Sequence, residues 1–445
     1  MKNIFLLFIQ FSAIIFAQYD KYPRPDEGII GGGFGMNFID GELYYRFSFR
    51  PEISFSNFGV GLDVNFDIDR HGNIRKENFN ETSDYLSLIR YVRYGEKNDP
   101  VFIKAGALDY YTLGHGSIIQ HYNNSPTYDN RRIGLVFDLD LGKAGIESIY
   151  SSFSPAGIFG IRAYARPLQF TTAADIPILG NLEVGASFVT DINKDAGILN
   201  GYFDSISKDF KVTQDTGSID IFGFDIGLPI VKTRATELTL YADYAKIVNF
   251  GSGIATGIMF TFKAGDLLSA STKLERRFNK VQYLPSYFNS LHEVNRFNID
   301  SSKGTFTSKA LFLKEQNDNT SGWYGDLLIR VFSLFDIYGS YQRLDKVAKS
   351  GILNLRTSIE PEDASFVFRA GYDKVNIKSE KDIFILDDRS YLYSEFGYKP
   401  MQYILVSIIY SWTFTPVRNN DGRIIYFEPQ KRVEPRISFI YPIEF

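Results

Sequence analysis

Segments of roughly ten residues in which apolar and polar side chains alternate recur along this chain, and they constrain its fold more than any other feature. In "NFGVGLDVNFDI", Phe58, Val60, Leu62, Val64, Phe66 and Ile68 share one face. Asn57, Gly59, Gly61, Asp63, Asn65 and Asp67 share the other. "RIGLVFDLDL" repeats the pattern, setting Ile133, Leu135, Phe137, Leu139 and Leu141 against Arg132, Gly134, Val136, Asp138 and Asp140. "TELTLYADY" and "ASFVFRAGYD" behave alike. A period of two gives each strand one apolar and one polar face. About twenty such segments fit end to end, each near the length that a tilted strand needs to cross a bilayer. They run from 29–39 to 433–445 and include 57–68, 84–95, 100–110 and 388–399.

The connections make a second, independent pattern. Counted in order, the even gaps are mostly short, as in "GEKND", "GK", "AGD" and "EPED". The odd gaps include all the longest: 69–83, 111–130, 192–216, 279–320, 374–387 and 414–432. Two even gaps, 169–180 and 230–235, are longer than the rest. Long loops on one side of a sheet and tight turns on the other are the habit of transmembrane β-barrels. A soluble sandwich or propeller has no reason for that parity. No fixed internal period appears, which disfavours propellers and solenoids.

Composition agrees where it bears on the choice. The chain holds 40 Phe, 29 Tyr and 37 Gly, which suits many alternating strands joined by turns, and 22 % charged residues, which does not suit a bundle of membrane helices. A net charge of −4 gives no electrostatic case for nucleic acid as a partner. The absence of cysteine excludes disulfides, thiolate metal sites and cysteine nucleophiles. The opening "MKNIFLLFIQFSAIIFAQ" has a positive Lys2, an apolar run from Ile4 to Phe16 and a small Ala17. That is the pattern of a cleavable signal peptide at 1–17. A short periplasmic leader at 18–28 and one barrel over 29–445 complete the expected organisation.

In lipid every backbone donor and acceptor must be paired, and a closed barrel is the sheet that leaves no edge. The apolar faces then meet lipid and the polar faces a lumen. The lumen wall is expected to carry Asp63, Asp67, Lys104, Arg132, Asp138, Asp140, Arg162 and Arg166. Further along it carries Glu237, Asp243, Lys273, Glu275, Arg277, Asp336, Arg369 and Asp373. Both signs are present, which suits a hydrated pore or an internal salt-bridge network. "KLERRF" is the densest basic point, with Glu275 among its cations. Flanking aromatics such as Tyr44, Tyr45, Tyr391, Tyr393, Tyr398 and Tyr403 are candidates for interfacial girdles.

Two loops stand out. In "YYTLGHGSIIQHYNNSPTYDNRR", Gly114 and Gly116 permit a sharp turn beside His115, and His121 and Arg131 follow. The expectation is a loop folded into the barrel mouth as a constriction, with His115, His121 and Arg131 as its candidate residues. The loop 279–320 carries Tyr283, Tyr287, Phe288 and Phe297, too apolar for free solvation. It is expected to pack over the mouth, bind a partner or include an extra hairpin. No metal-ligand spacing, no G-x-S-x-G elbow and no phosphate loop is found, since "GGGFG" lacks the required Lys and Ser/Thr. Ser286, Ser290 and His292 are present without a spacing that fixes them in register. The chain reads as no enzyme, with no cofactor and no metal.

The signal peptide, the loop parity and the terminal "FIYPIEF" together resemble outer-membrane β-barrel proteins of Gram-negative bacteria, in the broad porin-like group. In that group the last strand ends on an aromatic residue preceded by alternating apolar residues. The resemblance implies that Phe439, Tyr441, Ile443 and Phe445 form the signal read by the barrel-assembly machinery. It implies the fold, a single antiparallel transmembrane β-barrel of about 18–20 strands with short periplasmic turns and long extracellular loops. It implies a place in the outer membrane, with lipid as the surrounding partner and a homo-oligomer left open. The expected function is transport: a channel for small polar solutes, with a mixed-charge lumen narrowed by loops 111–130 and 279–320. The alternative is a non-transporting barrel acting as a scaffold, adhesin or secretion-system component.

Overall fold

The computed structural model describes residues 22–444, apart from positions 24–25, 80–81, 128–130, 154–155, 205–208, 266, 301–304, 333, 361–364 and 420–423. The expected signal peptide and Phe445 lie outside the described residues.

Twenty antiparallel strands form one sheet. They begin with β1 (Glu27–Ile39), β2 (Glu42–Phe55) and β3, whose halves Phe58–Leu62 and Val64–Ile68 flank Asp63. Next come β4 (Ile89–Tyr94), β5 (Val101–Gly106), β6 (Gly134–Asp140), β7 (Ala144–Tyr150), β8 (Ile158–Ala165), β9 (Glu183–Asp191) and β10 (Ile219–Lys232). Then follow β11 (Thr236–Ile247), β12 (Ser252–Ala264), β13 (Leu268–Asn279), β14 (Thr320–Val331), β15 (Phe335–Leu344) and β16 (Gly351–Ile359). The last are β17 (Phe366–Ile377), β18 (Ser390–Met401), β19 (Ile404–Arg418) and β20 (Ile424–Glu444). Each strand pairs with the next, and β1 pairs with β20 from Glu27↔Glu444 to Ile39↔Arg432, closing the barrel. The apolar tail of the chain thus joins "IIGGGFGMNF", as closure of the alternating segments requires.

The outside is apolar. Phe34, Phe58, Phe224, Leu240, Leu274 and Ile437 are exposed, and cross-strand pairs such as Phe34–Phe47 put ring centroids 4.9 Å apart. Polar side chains of the opposite parity are buried. An apolar exterior around a closed sheet with a charged interior is the architecture of an outer-membrane barrel, and the chain sits in that membrane. Among the described residues no helix is long and apolar enough to cross a membrane.

Three sequence expectations change. Segment 84–95 is not one strand: 82–86 is a helical turn and only Ile89–Tyr94 joins the sheet, while 100–110 leaves the sheet after Gly106. The hydroxyl of Ser87 donates to the Asp84 carbonyl at 2.7 Å, a local bond that competes with a ladder. The even gap 230–235 shrinks to three residues because β10 runs to Lys232, while 166–182 stays long and holds three 3₁₀ turns. Tyr391 and Tyr393 are not girdle residues. They share parity with buried Glu395 on the inner side, where the Tyr393 hydroxyl donates to Glu395 at 3.0 Å. Tyr45, Tyr398 and Tyr403 are exposed.

Candidate functional site: the barrel interior

The loop between β5 and β6 folds back into the barrel. Residues 111 and 122 exchange backbone hydrogen bonds of 2.9 and 2.8 Å, making a hairpin-like loop whose Tyr111, Ile119 and Tyr122 are fully buried. Its polar atoms reach strands all round the wall. The Tyr110 hydroxyl donates to Asp373 of β17 at 3.1 Å, and His121 Nε2 lies 2.8 Å from the Tyr338 hydroxyl of β15. His115 Nδ1 lies 2.7 Å from Asp243 of β11, and Lys273 of β13 donates to the His115 carbonyl. Gly116 has φ +90°, a conformation that side-chain-bearing residues rarely adopt.

The loop between β13 and β14 seals this plug from above. The Gln120 amide donates to the Phe288 carbonyl at 3.0 Å, and the Phe288 amide to Ile118 at 3.1 Å. Tyr283, Tyr287 and Phe288 join Tyr111, Ile119 and Tyr122 in one apolar cluster with Val136, Val189 and Ile221 of the wall. Two hairpins lie beyond it, Ile198–Asp204 with Asp209–Asp215 and Phe297–Asp300 with Thr305–Ser308. Ile198, Phe210, Phe297 and Ile299 pack between them. The first hairpin had no counterpart in the sequence reading. The second realises the extra hairpin left open there.

A buried charge cluster ties plug, seal and wall together. Glu293 accepts from the Tyr122 hydroxyl at 2.5 Å, from Arg296 at 2.7 and 2.9 Å, and from Arg132 before β6. Asp191 of β9 accepts from Arg296 at 2.7 Å and lies 2.9 Å from His292 Nε2. Burial, with nearby Lys309, lowers the His292 pKa to about 4. Burial, with Lys273 and Arg356, lowers that of His121 to about 3. Burial acts in the same sense on His115, but the Asp243 carboxylate outweighs it and holds His115 above the ordinary histidine value.

The charged residues singled out in the sequence occupy the inner side mostly as ion-paired neighbours. Asp67 takes Arg46 at 2.5 Å, Asp63 takes Arg50 at 2.7 Å and Arg131 at 2.9 Å, and Asp138 takes Lys97 at 2.5 Å. Arg162 reaches Glu147, Glu183 and Asp225 at 2.9, 2.8 and 2.6 Å, while Arg166 pairs with Asp140 at 3.1 Å. Glu275 lies fully buried between Lys273, at 3.3 Å, and Arg277. Asp373 takes Arg356 at 2.6 Å, Arg369 pairs with Glu360 and Glu395, and Asp336 lies 3.6 Å from Arg330. Lys104 is buried beneath the ring of Tyr22, and Glu237 is half-buried at a cavity edge. Sequence reasoning missed the partners Arg46, Glu147, Glu293, Arg356 and Glu395. Parity alone would have placed Arg46 and Glu395 beside Asp67 and Arg369.

Two cavities flank the plug. The larger, about 570 Å³, is lined by His115, His121, Glu147, Arg162, Asp326 and Arg356 among others. The smaller, about 270 Å³, lies against β2, β18 and β20. Tyr110 lines the first and Asp109 the second, so one loop separates them.

No protein-family model and no curated protein matches the chain. Among solved structures it is similar to OccK11 (OpdR) of Pseudomonas aeruginosa, at 9 % identity and TM-score 0.33 over 94 % of this chain and 95 % of that one. It is similar to the siderophore receptor PirA of Acinetobacter baumannii, at 10 % identity and TM-score 0.39 over 95 % and 81 %. The ferric enterobactin receptor PfeA gives 10 % identity and TM-score 0.38 over 95 % and 82 %. Likenesses this weak assign neither a family nor a substrate.

Proposed function

We propose that this barrel is an outer-membrane channel for small polar solutes, held in a closed state by loops 111–130 and 279–320. The observation that carries this reading is the pair of cavities beside the plug, about 570 and 270 Å³, both lined by charged side chains. A barrel serving only as a surface scaffold has no need of charged cavities beside a loop folded into its interior. Solutes pass when the loops shift. The charged residues of the inner face act as the wall of the path, and His115, His121 and Arg131 belong to its constriction. The barrel performs no catalysis in this reading. Phe439, Tyr441, Ile443 and Phe445 serve the assembly machinery, and the signal peptide at 1–17 is removed on export.

Planar-bilayer recording tests the proposal. The full chain should give rare or small ion steps. Deleting 111–130, or 279–320, should yield reproducible larger ones. A deletion variant that folds, inserts and stays silent removes the channel reading and leaves the scaffold, adhesin or secretion-system alternative.

A further inference from the structure

Arginines converge on the smaller cavity from three directions. Arg46 and Arg50 come from β2, Arg131 and Arg132 precede β6, and Arg432 and Arg436 come from β20. A seventh, Arg90, approaches the rim and pairs with Glu52. The carboxylates of the lining are Asp63, Asp109 and Glu434. Two of these are shared: Asp63 takes both Arg50 and Arg131, and Glu434 takes Arg46 at 2.8 Å, Arg436 at 3.4 Å and Arg432 at 3.6 Å, while Arg46 is also held by Asp67 and Arg132 by Glu293 outside the lining. Arg436 also reaches Glu395 at 3.1 Å, but that carboxylate serves Arg369 too, at 2.9 Å. The Arg436 side chain is only 7 % exposed, and its Nε has no hydrogen-bond partner among the described residues.

Cations gathered in a low-dielectric cleft repel one another, and a buried donor without a partner is costly. An anion entering the cavity offsets the repulsion among the guanidinium groups that line it. Guanidinium forks bind carboxylate and phosphate oxygens two at a time, which an ammonium does not. A volume of about 270 Å³ holds several waters, each needing ~30 Å³, and lies just below ordinary ligand pockets. It suits a small molecule with several anionic oxygens.

We infer that this cavity is a binding site for a small multivalent oxyanion, a phosphate or a di- or tricarboxylate. The inference rests on the channel reading only for what the site does: it would hold an anion on the path beside the plug. Binding itself does not depend on conduction.

Isothermal titration of the detergent-purified full chain at low ionic strength tests it, with inorganic phosphate and citrate as probes and glycerol as the neutral control. Saturable binding of at least one anion is expected, weakening as salt rises, with none for glycerol; the tighter anion names the class. The double variant Arg50→Gln, Arg131→Gln should bind at least tenfold more weakly. Arg276→Gln, which alters an ion pair to Asp345 away from this cavity, should bind as the native chain does. Heat-modifiable gel migration reports whether the double variant folds. If it does not, the native chain answers through phenylglyoxal. Arg50 and Arg131 are 39 % and 27 % exposed, and the bound anion should slow their modification. Absence of binding, an unchanged double variant or absence of protection overturns the site. A barrel that binds citrate but never conducts keeps the site and loses the channel. One that conducts but binds neither anion loses only the site.

Discussion

Gly32 lies on β1 beneath the ring of Phe439 from β20, and a Cβ there would stand 2.7 Å from the ring's Cζ. At Gly33 it would stand 2.7 Å from the Ile437 carbonyl oxygen. The glycines of "GGGFG" therefore admit the last strand at the closing seam, with the Phe439 ring covering the bare backbone of Gly32. Gly32→Val should destabilise the barrel by ~1–3 kcal/mol through overpacking. Gly325→Ala, whose Cβ would meet nothing nearer than 3.6 Å, should be close to neutral. Urea unfolding in lipid vesicles measures both, and equal midpoints would remove this account of the seam. His292 supports a second expectation. Its pKa is about 4 when docked, against about 6.5 when solvated, so between these values the undocked loop binds more protons. Docking of 280–319 should therefore weaken as pH falls from about 6.5 toward 4, by roughly 2 kcal/mol at pH 5. His121, with a pKa of about 3, acts in the same direction and to lower pH. His115, held above its ordinary value, favours docking at low pH and loses that contribution as pH rises through its folded value. Facing His292 are Asp191, Arg296, Lys309 and the rings of Tyr287 and Phe288. Hydrogen exchange over 280–319 at pH 7.5 and pH 5 should differ; identical protection would count against the histidine switch.

At the level of elements, the strands were legible because a period of two is local, and burying one face enforces it. The twenty segments and the loop parity follow from residues within ten positions of each other. Strand ends were less so. Local signals such as the Ser87–Asp84 bond say little about where the ladder stops and starts, since 74–79 and 107–111 are held by contacts from elsewhere. Asn78 donates to Asp67 at 2.9 Å, and the Leu108 amide to Asn124 at 3.0 Å. The plug was visible as a loop with glycines for a sharp turn and the seal as a loop too apolar for water, while their contact could not be read because Ile119 and Phe288 are far apart in sequence. Their packing yields a prediction at this scale. Phe288 is fully buried in the cluster joining the two loops, so Phe288→Ala should cost ~3–5 kcal/mol. That cost should fall on loop docking, not on the barrel, because the bridge that Phe288 makes is to Ile119 of the plug and, among the described residues, it pairs with no strand of the barrel sheet. Protease should then cut within 280–319 while the barrel's melting temperature stays the same. A barrel that melts lower with intact loops would show that the seal is part of the sheet's own stability.

For the whole molecule, the cavities and the arginine cluster were out of reach of the sequence, since Arg46 and Glu434 meet only because the sheet closes on itself. Closure is also what the tail of the chain serves. Ile437, Phe439 and Tyr441 are exposed on the outer face of β20, and Tyr441 packs against Tyr403 with ring centroids 5.1 Å apart. Their inward neighbours Arg436 and Glu434 belong to the buried charge network. On the proposed reading, the outer face serves assembly and the inner face transport. Making Tyr441 and Phe445 polar, as Tyr441→Asn with Phe445→Asn, touches none of the inner ion pairs among the described residues and removes the outward ring of Tyr441. Fewer barrels should reach the membrane, by severalfold, and those that do should conduct like the native chain. Surface labelling of intact cells gives the first quantity and single-channel steps the second. Normal insertion would remove the assembly role of the stripe, and altered conductance in correctly folded barrels would mean that the seam also shapes the lumen. The separation holds because a strand's side chains alternate across the wall, so a change on one face reaches the other only through the backbone.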